Sequence, residues 1–155
     1  MTDLQVLFVD VYVLRRSPGG LEALCLRRAG NTRCPGSWET VHGHIKGGEK
    51  PADAAQRELK EETGLAPDRF YSVSRVESFY LHARDTMALI PVFAALVAAN
   101  AVARVSDEHD AAEWLPLERA AERLAWPREG RALQDIAKLL SRGDAGQLED
   151  VLRVK

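Results

Sequence analysis

The chain begins with an apolar-rich run, "LQVLFVDVYVLRR", dense in Val and aromatics and closed by "SPGG". Such a run predicts a strand, and the closing residues supply the turn chemistry of a hairpin or short loop. "LEALCLRR" returns as a second strand, "AGNTRCPGS" reads as a loop from its Gly, Pro and Asn, and "WETVHGHI" is a short β-prone stretch. The period then changes. In "PADAAQRELKEETG", Pro51 suits the first position of a helix, Ala52, Ala55 and Leu59 form an apolar stripe, and Gly64 closes the segment. Beyond it, "FYSVSRVESFYL" and "TMALIPVFAALVA" read as strands, with Pro91 arguing for an edge position or a bulge in the second. "EWLPL" is a short strand or extended lead-in. "LERAAERLAW" and "REGRALQDIAKLLSRG" carry helical periodicity, and "AGQLEDVLRVK" adds a last turn or two. Strands early, helices late and one helix between them define an α+β pattern or a mixed sheet with helices on its faces.

At 155 residues the chain is expected to form one domain, residues 1–155, able to bury a core without disulfides or structural metal. Hydrophobic residues at 46% and charged ones at 28% are a normal soluble balance, with no membrane-spanning run and no signal-peptide pattern, which points to the cytoplasm. The net charge of −2 is spread along the length, so a nucleic acid polymer is not an expected partner. Cys25 and Cys34 form neither a CxxC pair nor a zinc cluster and are read as unbridged.

The end of the predicted helix poses a chemical question. Glu58, Glu61 and Glu62 recur at spacings of three and four, on one helical face, where they repel one another. They also stand at the C-terminal end, where the macrodipole favours Lys or Arg. A hard divalent cation, Mg2+ or Mn2+, bound among these oxygens would supply the missing charge. Because Mg2+ is usually held by few carboxylates together with substrate phosphates, such a helix reads as a platform for a di- or triphosphate.

The segment "GHIKGGEKPADAAQRELKEETGL", residues 43 to 65, resembles the Nudix box, with Gly43, Glu49, Arg57, Glu58, Leu59, Glu61, Glu62, Gly64 and Leu65 in its fixed positions. A match of this kind arises by chance roughly once in ten million such chains. The resemblance implies the Nudix fold, an α/β/α sandwich around a mixed sheet. It implies that Glu58, Glu61 and Glu62 hold metal and that Glu49 and Arg57 brace loop against helix. A further metal ligand would be the backbone carbonyl of the residue before the box, here His42, where relatives often have Gly. His42 and His44 alternate at strand period but are too few for a zinc site, and His82 and His109 are expected at the surface or the cleft rim.

The family usually adds a late carboxylate as metal ligand or base. "SDEHDAAEWLPL" offers Glu108, with Asp107 and Asp110 as neighbours, and it resembles the "EH" stretch of dihydroneopterin triphosphate pyrophosphatases. Trp38, Phe79 and Tyr80 are candidates to stack on a base or pterin ring. Arg27 and Arg28 alternate on their strand, so one of them faces the cleft and a phosphate while the other faces solvent. The markers of ADP-ribose, diadenosine polyphosphate and coenzyme A enzymes are not met. The expected activity is therefore pyrophosphohydrolysis of a nucleoside diphosphate linked to another moiety, with a nucleoside, deoxynucleoside or pterin triphosphate as the default substrate. The alternatives are a nucleotide sensor without turnover, a hydrolase of ADP-ribose or dinucleotides, and an isomerase of allylic diphosphates. A homodimer is compatible with the apolar "PVFAALVAA" stretch, which reads as either core or interface.

Overall fold

In the computed structural model, which describes residues 1–155, the first apolar run is two strands rather than one. β1 (Asp3–Val6) and β2 (Phe8–Ser17) both run parallel to β7 (Thr86–Leu96). Val6 stands opposite Leu89 while Asp10 stands opposite Val92, so the pairing slips by one residue around Leu7. A hairpin then returns the chain as β3 (Gly20–Arg28), with Ser17 opposite Gly20. The β-prone stretch after the long loop splits into β4 (Trp38–Glu39) on β3 and β5 (Val41–His44) on β2.

β7 is an interior strand, with β6 (Arg69–Leu81) antiparallel on its other side. The edge position suggested for Pro91 is therefore corrected. Pro91 cannot donate to the ladder, and the accommodation falls on the partner: β6 slips register between Ser72 and Val76, with Ser74 at a φ of 54°. "PVFAALVAA" is core, since Val92, Phe93, Ala94, Ala95 and Val97 are buried. β8, expected as a short "EWLPL" strand, already starts at His109 and runs to Pro116 against β3.

Helices cover both faces. Along β2, Val9, Val11 and Val13 point to a core shared with Leu59 of α1 (Pro51–Thr63), whereas Tyr12 and Leu14 point to a core shared with Leu133 and Ile136 of α3 (Pro127–Leu140). α2 (Leu117–Arg123) and α4 (Glu149–Leu152) complete the α3 side. The result is an open mixed sheet between helical layers, the α/β/α sandwich. No helix is long and apolar enough to cross a membrane.

Two buried acids fasten α3 to the strands. Asp10 accepts from His42 Nδ1 at 2.7 Å and from Arg128 Nε and Nη2 at 2.9 and 3.2 Å. Glu129 accepts the backbone N–H of Thr40 at 2.7 Å and, as in a capping box, that of Trp126 at 3.0 Å. Burial pushes the Glu129 carboxyl up to about 8 from an ordinary 4.5, against the pull of these two donors. Because its folded value is raised, the associated stability is fully present below about 4.5 and is lost as pH climbs through about 8. Glu129→Gln must turn its NH2 toward one of the two N–H groups and should cost about 1–3 kcal/mol at low pH. Urea unfolding at several pH values should show that gap narrowing as pH rises.

Candidate active site

The loop before α1 is built around one guanidinium. Arg57 grips Glu49 with two parallel bonds, Nε to Oε2 at 2.8 Å and Nη2 to Oε1 at 2.9 Å, and Nη2 also donates to the His44 carbonyl at 2.9 Å. Glu49 Oε1 accepts the Lys46 N–H at 3.1 Å as well. Loop, strand and helix are thereby locked together by charge-assisted bonds. Hydrogen bonds from Arg57 and Lys46 hold the Glu49 carboxyl down to about 2. Nη1 of Arg57 reaches Glu58 at 2.8 Å and Glu61 at 3.2 Å. Lysine cannot make this fork, so Arg57→Lys should keep the fold but lower kcat/KM by about 10–100-fold. Steady-state kinetics alongside a melting curve would check this.

The three helix glutamates sit at different depths. Gly64 ends α1 in the left-handed conformation at a φ of 73°, and its N–H closes on the Lys60 carbonyl. Glu61 remains exposed. Glu58 is half withdrawn, and its carboxyl group occupies the space where a Cβ on Gly43 would stand. Burial raises its pKa, opposed by Arg57. Glu62 is 2% exposed, and neither carboxylate oxygen has a hydrogen-bond partner. Burial lifts its pKa well above the ordinary value, and the neighbouring charges of Glu58, Glu39 and Glu108 add to that against a weak pull from the backbone N–H of His42.

Behind Glu62 lies a second buried group. His109 Nε2 is 3.0 Å from Glu39 Oε2, and its Nδ1, with no hydrogen-bond partner, is 3.7 Å from Glu62 Oε1. Arg28 donates to Glu39 at 3.3 Å and stands 3.9 Å from Glu108. Burial pushes Glu39 up, but the His109 hydrogen bond and the Arg28 charge outweigh it and hold the carboxyl below its usual range. The expectation that His109 lies at the surface or rim is corrected: strand alternation in β8 turns it into the α1 side of the sheet, where it is buried.

Of the residues expected to form the site, Gly43, Glu49, Arg57, Glu58, Glu61, Glu62 and Gly64 are brought together on and around α1, and Arg28 faces them from β3. Glu108, 58% exposed, stands at the rim. Arg27 and Trp38 lie on the opposite face, where Arg27 pairs with Asp110 at 2.6 Å and stacks over Trp38 at 5.9 Å. The structure does not bring them to the carboxylates. The His42 ring also points away, against Phe8 and Asp10, leaving only its backbone beside Gly43.

Glu39 and His109 were the omissions. Period two from Gly43 back through Val41 already puts Glu39 on the box face, and His109 is the second residue of the "EH" stretch.

Two bare carboxylate oxygens and a bare ring nitrogen buried side by side are costly as packed core and fit a cation's surroundings. Glu39, Glu62 and His109 each offer a ligand atom within 4.8 Å of the others. The NUDIX domain profile matches residues 6–136, and the chain belongs to the Nudix family. Nudix hydrolases use divalent metals, in keeping with this donor set.

Three relatives bear on the activity. An octanoyltransferase of Myxococcus xanthus is 40% identical over 96 residues, covering 57% of this chain but only 25% of that protein. The asymmetrical bis(5'-nucleosyl)-tetraphosphatase of Mus musculus is 30% identical over 100 residues, 63% of this chain and 68% of the mouse protein. The isopentenyl-diphosphate Delta-isomerase of Corynebacterium diphtheriae is 30% identical over 122 residues, 74% of this chain and 66% of that protein. This chain thus spans about a quarter of the first and about two thirds of the other two.

Proposed function

We propose that the protein is a divalent-metal-dependent pyrophosphohydrolase that cleaves a nucleoside diphosphate linked to another moiety. A nucleoside, deoxynucleoside or pterin triphosphate would give a monophosphate and pyrophosphate. The observation that carries this reading is the buried, partnerless carboxylate of Glu62 beside Glu58, both on the helix end that the dipole makes unfavourable for negative charge. Glu58, Glu61, Glu62 and the His42 carbonyl would hold the ion, which is Mg2+ or Mn2+ in this reading. Bound there, a divalent cation screens phosphate charge and makes a water more acidic.

The remaining work falls to the protein's own groups. The Arg57–Glu49 grip fixes the loop against α1 and keeps the Glu58 carboxylate directed past Gly43. Arg28, oriented by Glu39, presents positive charge to a phosphate entering from the rim. Glu108 takes the proton of the attacking water or supplies a further ligand, and its position at the rim suits either role.

The mouse tetraphosphatase favours a second reading, in which the group beyond the diphosphate is another nucleotide. A hydrolysis panel separates these. It would contain nucleoside and deoxynucleoside triphosphates, dihydroneopterin triphosphate, ADP-ribose and diadenosine tetraphosphate, with Mg2+ or Mn2+, a chelator control and mass identification of products. Chelator-sensitive release of a monophosphate is the expected outcome, and its source names the substrate. Tight nucleotide binding with no turnover would replace the hydrolase by a sensor. Conversion of isopentenyl diphosphate would shift the assignment to the isomerase relative.

A further inference from the structure

We propose that His109 is a nitrogen ligand to the cation at Glu62, through Nδ1, with Glu39 as the carboxylate that orients its ring. The inference depends on the reading above for the presence of a cation at Glu62, and adds a donor that the box does not supply.

The argument begins with the ring. His109 is 3% exposed, so each nitrogen needs a partner inside the protein. Nε2 has one, Glu39 Oε2 at 3.0 Å. A carboxylate only accepts, so Nε2 carries the proton, and in the neutral ring this leaves Nδ1 with a lone pair. That lone pair meets no donor, and the nearest polar atom is Glu62 Oε1 at 3.7 Å. Glu62 likewise has no partner at hydrogen-bond geometry on either oxygen, the backbone N–H of His42 being the one donor that pulls on it. Two lone-pair groups facing each other across 3.7 Å are too far apart for a hydrogen bond. Two donors of one ion, each about 2.0–2.2 Å from it, span such a distance.

The outer partner completes the pattern. A metal-bound imidazole almost always passes its other N–H to a carboxylate or carbonyl, which fixes the tautomer and raises the ring's basicity. Glu39 is placed for that role, and Arg28 at 3.3 Å neutralises it and holds it in place. Both donors converge on Oε2 of Glu39, which sets that oxygen against the ring. The other histidines nearby do not compete, because the His42 and His44 rings pack against Phe8 on the far face of the sheet.

An imidazole changes which ion the site prefers. Oxygen donors alone suit Mg2+, whereas a nitrogen donor adds affinity for first-row transition ions. The site is therefore expected to favour Mn2+ over Mg2+ even without nucleotide.

The test uses the full chain loaded with Mn2+ alone. Pulsed EPR should detect a directly bonded nitrogen, and labelling histidine with 15N should change its signature without any substitution. His109→Gln should abolish the coupling and weaken Mn2+ binding by about 10–100-fold, as should Glu39→Gln for affinity. Mg2+ affinity should move less than about threefold, because a nitrogen donor matters least to a hard ion. Bound Mn2+ without a histidine signal would overturn the assignment and leave the hydrolase reading untouched. Failure of the folded protein to bind millimolar Mn2+ would also overturn it, since Glu62 and the His109 ring are already placed together as buried donors without nucleotide. A histidine signal in a protein that turns over nothing on the panel would retain the ligand and remove the hydrolase.

Discussion

Glu62→Gln is expected to lower kcat by about 10³-fold or more, beyond the 10–100-fold typical of residues that only support a ligand. It should do so while making the metal-free protein more stable. The carboxylate is buried with both oxygens unpaired, and a neutral amide avoids the cost of burying that charge. The sign of the pH dependence separates this from simple damage. The folded pKa of Glu62 lies above the ordinary 4.5, so its contribution is fully present below that value and is lost as pH rises toward the folded pKa. Thermal melts without divalent cation should show wild type falling behind the variant as pH rises above about 4.5, by about 1 kcal/mol or more. Adding Mn2+ should raise the melting temperature of wild type and leave the variant nearly unchanged. A variant that is inactive and less stable at every pH would assign Glu62 to packing.

Gly43→Ala should be nearly as severe for activity and mild for the fold. The Glu58 carboxyl fills the place of the missing Cβ. The clash falls on the end of a flexible side chain, and Gly43 is not at positive φ, so the backbone has no reason to move. The methyl group instead evicts Glu58 from beside Glu62. Activity is expected to fall by about 10²-fold or more, on the scale of losing one preorganised charge-stabilising group, with a melting temperature within a few degrees of wild type. Circular dichroism melts and initial rates on the same preparation decide it. A large loss of stability would mean that Gly43 serves the β2–β5 pairing rather than the seat of Glu58.

How far the sequence foretold this arrangement differs from element to element. α1 was legible because its spacing, its Pro51 start and its Gly64 stop act within one helix. The box residues were legible for the same reason. β1 and β2 read as one strand because nothing in the pattern marks Leu7; the slip is set by β7, far along the chain. Pro91 misled about the edge because the accommodating bulge lies on β6, a separate segment. His109 and Glu39 come from strands joined only by the sheet, so their meeting behind Glu62 depends on β3 register. Arg28 rather than Arg27 turned inward because Leu26 and Leu24, two and four residues before it, belong to the α1-side core.

The Asp10 clamp gives the molecule a mechanical property. One buried carboxylate holds Arg128 of α3 and His42 of β5 at the same time, so neither element can swing out without leaving a desolvated charge behind. The first turn of α3 and the strand that carries the Gly43 seat should therefore open to solvent as one cooperative unit, and their amides should exchange hydrogen with a common free energy.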